Sequence, residues 1–306
     1  MEPVLIIGAG PAGMMLAYQL ASNGVPVRVV ERHRDFDREF RGEFVQPSVL
    51  AVLEQLGILA ELRHKQQVFP IQAVRMRGPS GRLFASNENA DGKPVSQAVH
   101  QPSFLALLDQ QCKRFAGYEL ELGAPVTKLI VEAGRVRGVM VRRENAEQRL
   151  DASLVVVCNG RSSALRKSVA LEPIEIERPY ELLWLRFDAS LHPELYPDSL
   201  EGYVRPKSYY VLYPTHGRRV QLMWRRRRKY PLEVKATAEQ LKRELLSDAP
   251  AVWHGLFEAL LRESTERQVL KVVADHLKQW WAPGVLFLGD AAHTMSPMGA
   301  QGLNMA

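Results

Sequence analysis

The chain has 306 residues, 46% of them hydrophobic and 24% charged, which is enough to build one large core or two ordinary ones. Its formal net charge of +6 suits anionic ligands without identifying nucleic acid. The only two cysteines, Cys112 and Cys158, have no metal-ligand spacing, and none of the eight histidines falls in an HExxH pattern. Disulfide frameworks and zinc-hydrolase motifs are therefore excluded, no metal is implied, and a reducing cytoplasm is the expected compartment.

Val4-Leu5-Ile6-Ile7 is an apolar run of strand length, followed at once by Gly8-Ala9-Gly10-Pro11-Ala12-Gly13. Met14 to Leu20 then carries helical periodicity, and Val27 to Val30 forms a second strand that delivers Glu31 at its end. This is the context in which GxGxxG carries weight. Gly8 permits a tight turn, Gly10 lets backbone approach a pyrophosphate, and Gly13 lets helix and strand pack closely. The helix start offers N–H groups and a positive dipole end to phosphate, while Glu31 can accept from a ribose. An adenine dinucleotide is implied, and the motif alone does not separate FAD from NAD. No charged residue occurs between Pro3 and Val27, but the interspersed Gly and Pro, and Glu2 in place of a basic leader, argue against a membrane span or signal sequence.

Arg32 to Phe40 reads as a polar loop, and Arg41-Gly42-Glu43 leads into an amphipathic helix over Gln46 to Leu56 that stops at Gly57. Arg41 has two open roles, neutralising pyrophosphate or pairing at the surface. Ile71 to Met76 and Arg82 to Ala85 read as strands joined by the Gly78-Pro79-Ser80-Gly81 turn. A helix is expected from Pro102-Ser103 to Phe115, and a hairpin from Val126 to Val141 turning at Ala133-Gly134. Leu154 to Cys158 has the pattern of a buried strand, ending in Asn159-Gly160 and followed by a short helix over Arg161 to Ser168.

From Glu172 to Leu277 the character changes to an α+β insert suited to a lid or substrate wall. Strands are expected at Leu182–Phe187, Gly202–Arg205, Tyr209–Tyr213 and Val220–Trp224, and helices at Thr237–Leu246 and Ala251–Arg262. Tyr209, Tyr210 and Tyr213 either line a pocket or are ordinary strand-face aromatics. The basic run Arg225 to Lys229 reads as a solvated strand end, because no nucleic-acid motif accompanies it. Val285 to Leu288 returns to a buried strand, which ends in Gly289-Asp290. Asp290 is placed to accept from sugar or ribityl hydroxyls, and amides around Gly302, Leu303 and Asn304 to donate to negative charge. His293 either orders this loop or serves as an acid–base group, and Cys158 reads as packing.

These segments, in this order, resemble the FAD-dependent aromatic hydroxylases, the para-hydroxybenzoate hydroxylase-like monooxygenases. The residues carrying the resemblance are Gly8-x-Gly10-x-x-Gly13 with Glu31, then Cys158-Asn159-Gly160 before Arg166, and Gly289-Asp290-Ala291-Ala292-His293 through Pro297 to Gly302-Leu303-Asn304. It implies FAD held by Gly8, Gly10, Pro11, Ala12, Gly13, Glu31, Arg32, Arg41, Gln101, Asn159, Gly160, Asp290, Gly302, Leu303 and Asn304, with Pro297 and His293 near the flavin. Asn159 stands where the family usually carries Asp.

The fold it implies is α/β, a Rossmann-like FAD-binding domain with an inserted α+β substrate domain built on a β-sheet. Its expected parts are an FAD-binding domain over 1–171 with a small β insert near 71–100, a substrate or lid domain over 172–277, and a return to the first domain over 278–306. The implied reaction uses NADH or NADPH and O2 to hydroxylate an aromatic or polycyclic small molecule through a C4a-hydroperoxyflavin. The cofactor carries the chemistry, and no side chain is required as a base. A reductase or dehydrogenase of the same fold is the alternative, as is a truncated, non-catalytic FAD-binding protein. Family members continue for many tens of residues past the counterpart of Asn304, whereas this sequence stops at Ala306, so the resemblance does not extend to the family's C-terminal region. Neither a nucleic-acid partner nor a transmembrane segment is expected, and a homodimer is among the assemblies the resemblance allows.

Overall fold

A computed structural model of the chain describes residues 2–37, 43–144, 146–161, 163–176, 180–189, 197–206, 208–227, 238–249, 251–260, 266–272, 274–295 and 300–305. Its contacts separate two units. The first comprises Met1–Arg38, Gln101–Glu177 and Val273–Ala306, the second Glu39–His100 and Arg178–Val272. The strands near 71–100, expected as an insert of the first part, thus group with the second unit. The expected change at 172 falls at Arg178, and the return at 278 falls at Val273. The reason is a pairing that no local pattern announces: Ala73–Arg77 lies parallel to Leu200–Val204, with Val74 opposite Leu200.

The first unit is built on a six-stranded sheet in the order Trp281–Ala282, Val285–Phe287, Leu154–Val157, Val4–Ile7, Val27–Glu31, Tyr118–Leu122. All neighbours are parallel except the short Trp281–Ala282 edge. The central strands are buried runs of Val, Leu and Ile, as expected of parallel strands covered on both faces. Leu5, Ile7, Val155, Val157 and Phe287 point into a core completed by Val139, Val141 and Leu150 of an antiparallel sheet formed by Val126–Glu132, Arg135–Arg143 and Ala146–Asp151. The hairpin turns at Ala133-Gly134, both with positive φ. Chain order reverses at Val4–Ile7, whose neighbours are the second strand on one side and a strand some 150 residues later on the other. At such a switch point loops diverge beyond the carboxyl ends of the strands and leave a crevice.

The second unit carries a seven-stranded sheet in the order Glu266–Lys271, Tyr180–Asp188, Arg219–Arg227, Ser208–Thr215, Leu200–Val204, Ala73–Arg77, Leu83–Glu88. Alternate residues of Tyr180–Asp188 enter opposite cores. Leu183, Leu185 and Phe187 meet the side chains of Leu245, Trp253 and Phe257, whereas Leu182 and Trp184 pack with Ile71 and Ala98. A smaller sheet of Phe44–Val45, Ser96–Val99 and Val68–Ile71 belongs to the same unit. Tyr209, Tyr210 and Tyr213 are all buried in these cores, with Tyr210 stacked on Trp224 at 5.9 Å, so they behave as strand-face aromatics. Arg225 lies over the Tyr180 ring at 4.4 Å, while Arg228 and Lys229 of the basic run fall outside the described residues. Among the described residues no helix is long and apolar enough to cross a membrane.

Candidate functional site: a dinucleotide cradle in the first unit

The strand Val4–Ile7 runs straight into the helix Pro11–Ser22, with Gly10 extended at its N-cap and Pro11 in its first turn. Two positions at this junction, Gly8 in the turn and Gly13 in the helix, have no room for a side chain. A Cβ on Gly8, whose φ is +103°, would sit 2.6 Å from the Cys158 carbonyl oxygen, and one on Gly13 would sit 1.9 Å from the Gly8 carbonyl oxygen. Both positions therefore demand glycine, and the helix start stays close to the strand ends with no capping side chain over it. This is the geometry a pyrophosphate requires, with backbone N–H groups bare of competing side chains.

Glu31 is buried, and the chain itself uses its carboxylate. Oε2 accepts from the Ala9 N–H at 2.7 Å and Oε1 from the His33 N–H at 3.0 Å. These bonds brace the glycine-rich turn from the end of the second strand. Arg32 is exposed, and its Nε lies 3.0 Å from His33 Nε2. Gln101 opens the helix Gln101–Cys112 in a half-buried position. Asn159 is exposed just past the strand Leu154–Val157, and Gly160 has a φ of +85°. Arg41 and Pro297 lie outside the described residues.

Two strands away from the glycine turn on the far side, Val285–Phe287 leads into Gly289-Asp290. At about 4.8 Å per strand this separates the two loops by about 10 Å, less than the length of a dinucleotide. Asp290 is half-buried, and its Oδ1 would lie 3.9 Å from a Cβ placed on Gly302, in the first turn of the short helix Gln301–Asn304. The carboxylate and the second glycine-containing helix start thus meet, although twelve residues separate them. Asn304 Nδ2 donates to the Ala300 carbonyl at 2.7 Å.

A buried clamp, of which the sequence marks Arg166 but not its partner Asp275, holds the Asp290 loop. Arg166 donates from Nη1 to Asp275 Oδ2 at 2.7 Å and from Nη2 to Oδ1 at 3.4 Å, with both side chains 5% exposed. Its Nε donates to the Ala291 carbonyl at 2.7 Å and its Nη2 to the Asp290 carbonyl at 3.0 Å. The Thr294 N–H adds a bond to Asp275 Oδ1 at 3.3 Å. Nothing local marks Asp275 in the sequence, because its partner is 109 residues away. His293 pairs opposite His276, and its ring centroid lies 5.0 Å from that of Trp280, which supports the loop-ordering role. Burial pushes the Cys158 thiol up to about 12, as expected of a packing residue and not of a redox thiol.

A parallel sheet whose switch point is flanked by a glycine turn on one side and an acid–glycine loop on the other defines a dinucleotide-binding fold. The comparisons with known proteins agree. A family described as "FAD binding domain" matches residues 1–306. The 6-methylpretetramide 4-monooxygenase of Streptomyces rimosus is 29% identical over 99% of this chain and 72% of its own length. Squalene monooxygenase 1,2 of Brassica napus is also 29% identical, over 98% of this chain, and the chain spans 58% of that relative's length. Among solved structures, PqsL of P. aeruginosa in complex with 2-aminobenzoylacetate superposes with a TM-score of 0.84 at 22% identity, covering 99% of this chain and 82% of that one, a likeness that carries the fold. The chain belongs to this FAD-binding family, and within it to the para-hydroxybenzoate hydroxylase-like FAD-dependent monooxygenases.

Proposed function

We propose that the chain hydroxylates an aromatic or polycyclic small molecule, with FAD as cofactor, NADH or NADPH as electron donor and O2 as oxidant. The observation carrying this reading is the paired cradle at the strand ends, glycine turn and Asp290 loop, in a chain that aligns over nearly its full length with a monooxygenase acting on 6-methylpretetramide.

FAD supplies the redox and oxygen-activating chemistry when bound. The protein's share is binding, orientation and the exclusion of water. Backbone N–H groups of Ala12 and Gly13, at the start of the first helix, donate to the pyrophosphate, aided by the helix dipole. Glu31, at the end of the second strand, would accept from a ribose hydroxyl, and Asp290 would accept from hydroxyls further along the ligand. Arg32, Arg41, Gln101, Asn159 and Gly160 complete the contacts. Amides of Gly302, Leu303 and Asn304 would donate to negative charge on the ring system, and the resemblance assigns Pro297 and His293 to its surroundings. The second unit takes the substrate-binding role, and water kept from the reacting centre directs oxygen into product.

The test begins with the visible spectrum of purified protein after addition of FAD, where protein-bound flavin bands are expected. NADH or NADPH oxidation is then followed with a panel of phenols under isotopically heavy O2. Labelled hydroxylated product supports the reading. Absence of bound flavin overturns it, and pyridine-nucleotide oxidation that reduces a double bond without label incorporation replaces it with the reductase alternative.

A further inference from the structure

Within the second unit, three segments distant in sequence bring a carboxylate and two imidazoles to one point. Glu43 immediately precedes the strand Phe44–Val45, and its carbonyl accepts from the Val99 N–H at 2.8 Å, which extends the pairing with Ser96–Val99 by one step. That pairing sets Glu43 beside His100, whose own N–H is fixed to the Gln67 carbonyl at 3.0 Å. The third segment is the end of Ser208–Thr215. Tyr213 accepts from the Glu43 N–H at 3.3 Å, and Thr215 Oγ1 donates to Glu43 Oε2, which delivers His216 to the same place.

The resulting geometry is close. His216 Nδ1 lies 3.6 Å from Glu43 Oε2, and the His100 and His216 ring centroids are 3.8 Å apart. One ligand atom from each of the three residues lies within 4.8 Å of the others. Glu43 is 2% exposed, whereas the His216 side chain is 18% exposed, so the cluster is anchored inside and open at its imidazole end.

We propose that Glu43, His100 and His216 bind one divalent cation of the zinc class. Glu43 Oε2 and one ring nitrogen of each histidine are the ligands, with water in the fourth position. Two imidazoles and one carboxylate are a donor set that suits zinc, cobalt and nickel and not calcium or magnesium, which take oxygen alone. Ligand atoms around a tetrahedral ion at metal–ligand distances near 2.0 Å stand about 3.3 Å apart. Closing from the observed spacing is a matter of side-chain torsion, because the backbone bonds at Val99 and Gln67 already hold the segments in register. Oriented ligands need partners behind them. Thr215, fully buried, holds Oε2, and Arg186 donates from Nη2 to Oε1 at 3.2 Å on the side away from the ion. The Arg186 charge offsets part of the carboxylate's attraction for the ion.

The proposal is independent of oxygenation, so either reading survives failure of the other. Flavin-loaded, tag-free protein, freed of metal with a chelator, is titrated with Zn2+ by calorimetry and with Co2+ by its ligand-field absorption to the red of the flavin bands. One equivalent is expected, with a rise in melting temperature because the ion ties three chain segments together. His100→Gln and His216→Gln should each weaken binding by about tenfold or more, and Glu43→Gln likewise. His64→Gln, on an exposed helix end, should leave binding unchanged. Absence of saturable binding overturns the proposal, as does one-equivalent binding that persists in both His100→Gln and His216→Gln. If Glu43→Gln does not fold, these two variants, altered at the open end of the cluster, decide the matter alone.

Discussion

The Arg166–Asp275 clamp lends itself to a quantitative test, because both partners are buried and the guanidinium also serves two carbonyls of the Asp290 loop. Asp275→Asn keeps the shape and removes the charge, which strands a buried guanidinium. Breaking a buried pair in this way costs about 3–5 kcal/mol. Arg166→Met strands the carboxylate instead and also releases the Ala291 and Asp290 carbonyls, adding about 1 kcal/mol for each lost bond. The double variant Arg166→Met/Asp275→Asn leaves no buried charge, so its loss should fall short of the sum of the singles by about 2–3 kcal/mol. Urea unfolding followed by far-UV circular dichroism measures the cycle, and release of flavin fluorescence reports the loop. FAD should dissociate at a lower urea concentration than backbone unfolding in Arg166→Met, since the Asp290 backbone loses its anchor. Single variants within 1 kcal/mol of the parent, or a strictly additive double, would refute the clamp.

Three further outcomes are expected. Gly13→Ala should abolish FAD binding, as judged by ultrafiltration and the absorption spectrum, because its Cβ would overlap the Gly8 carbonyl oxygen. Asp290→Ala should weaken FAD binding by about 1–3 kcal/mol in a fluorescence titration, the cost of losing hydrogen bonds to a charged group; unchanged affinity would remove Asp290 from the ligand. The Cys158 thiol is pushed up to about 12 from an ordinary value of 9.0, so between those pH values the unfolded chain has released a proton that the folded chain retains. Stability therefore falls as pH rises through that window, by up to about 1.4 kcal/mol per pH unit from this group. Cys158→Ala should flatten the decline in denaturant midpoints measured across the window, and an unaltered slope would mean the thiol is not shielded.

The nucleotide cradle is legible in the sequence because its signals are local. Strand, glycine turn, helix and Glu31 follow one another within thirty residues, and each reports its own backbone requirement. The strands of the second unit are also readable from their apolar runs, but their partners are not. Arg75 and Glu201 form an ion pair 126 residues apart in the sequence, and no periodicity near Arg75 points to it. The same limit hides Asp275 and the Glu43 cluster. Glu43 reads as a polar residue before a helix, and only the register with Val99 and the reach of Thr215 show it to be buried. Glu31 is the intermediate case. Its position is foreseen, while its two backbone bonds depend on how the turn closes.

The parallel pairing of Ala73–Arg77 with Leu200–Val204 also bears on how this molecule comes into being. A ribosome emits the first of these strands long before the second, and the stretch emitted between them is largely devoted to the other unit. Until Leu200 emerges, Ala73–Arg77 can hydrogen-bond to Leu83–Glu88 on one flank, while its other flank awaits a partner not yet synthesised. Scissors applied at any single peptide bond cannot liberate either half of this protein as a continuous, self-sufficient fragment, because each is stitched from separate lengths of thread.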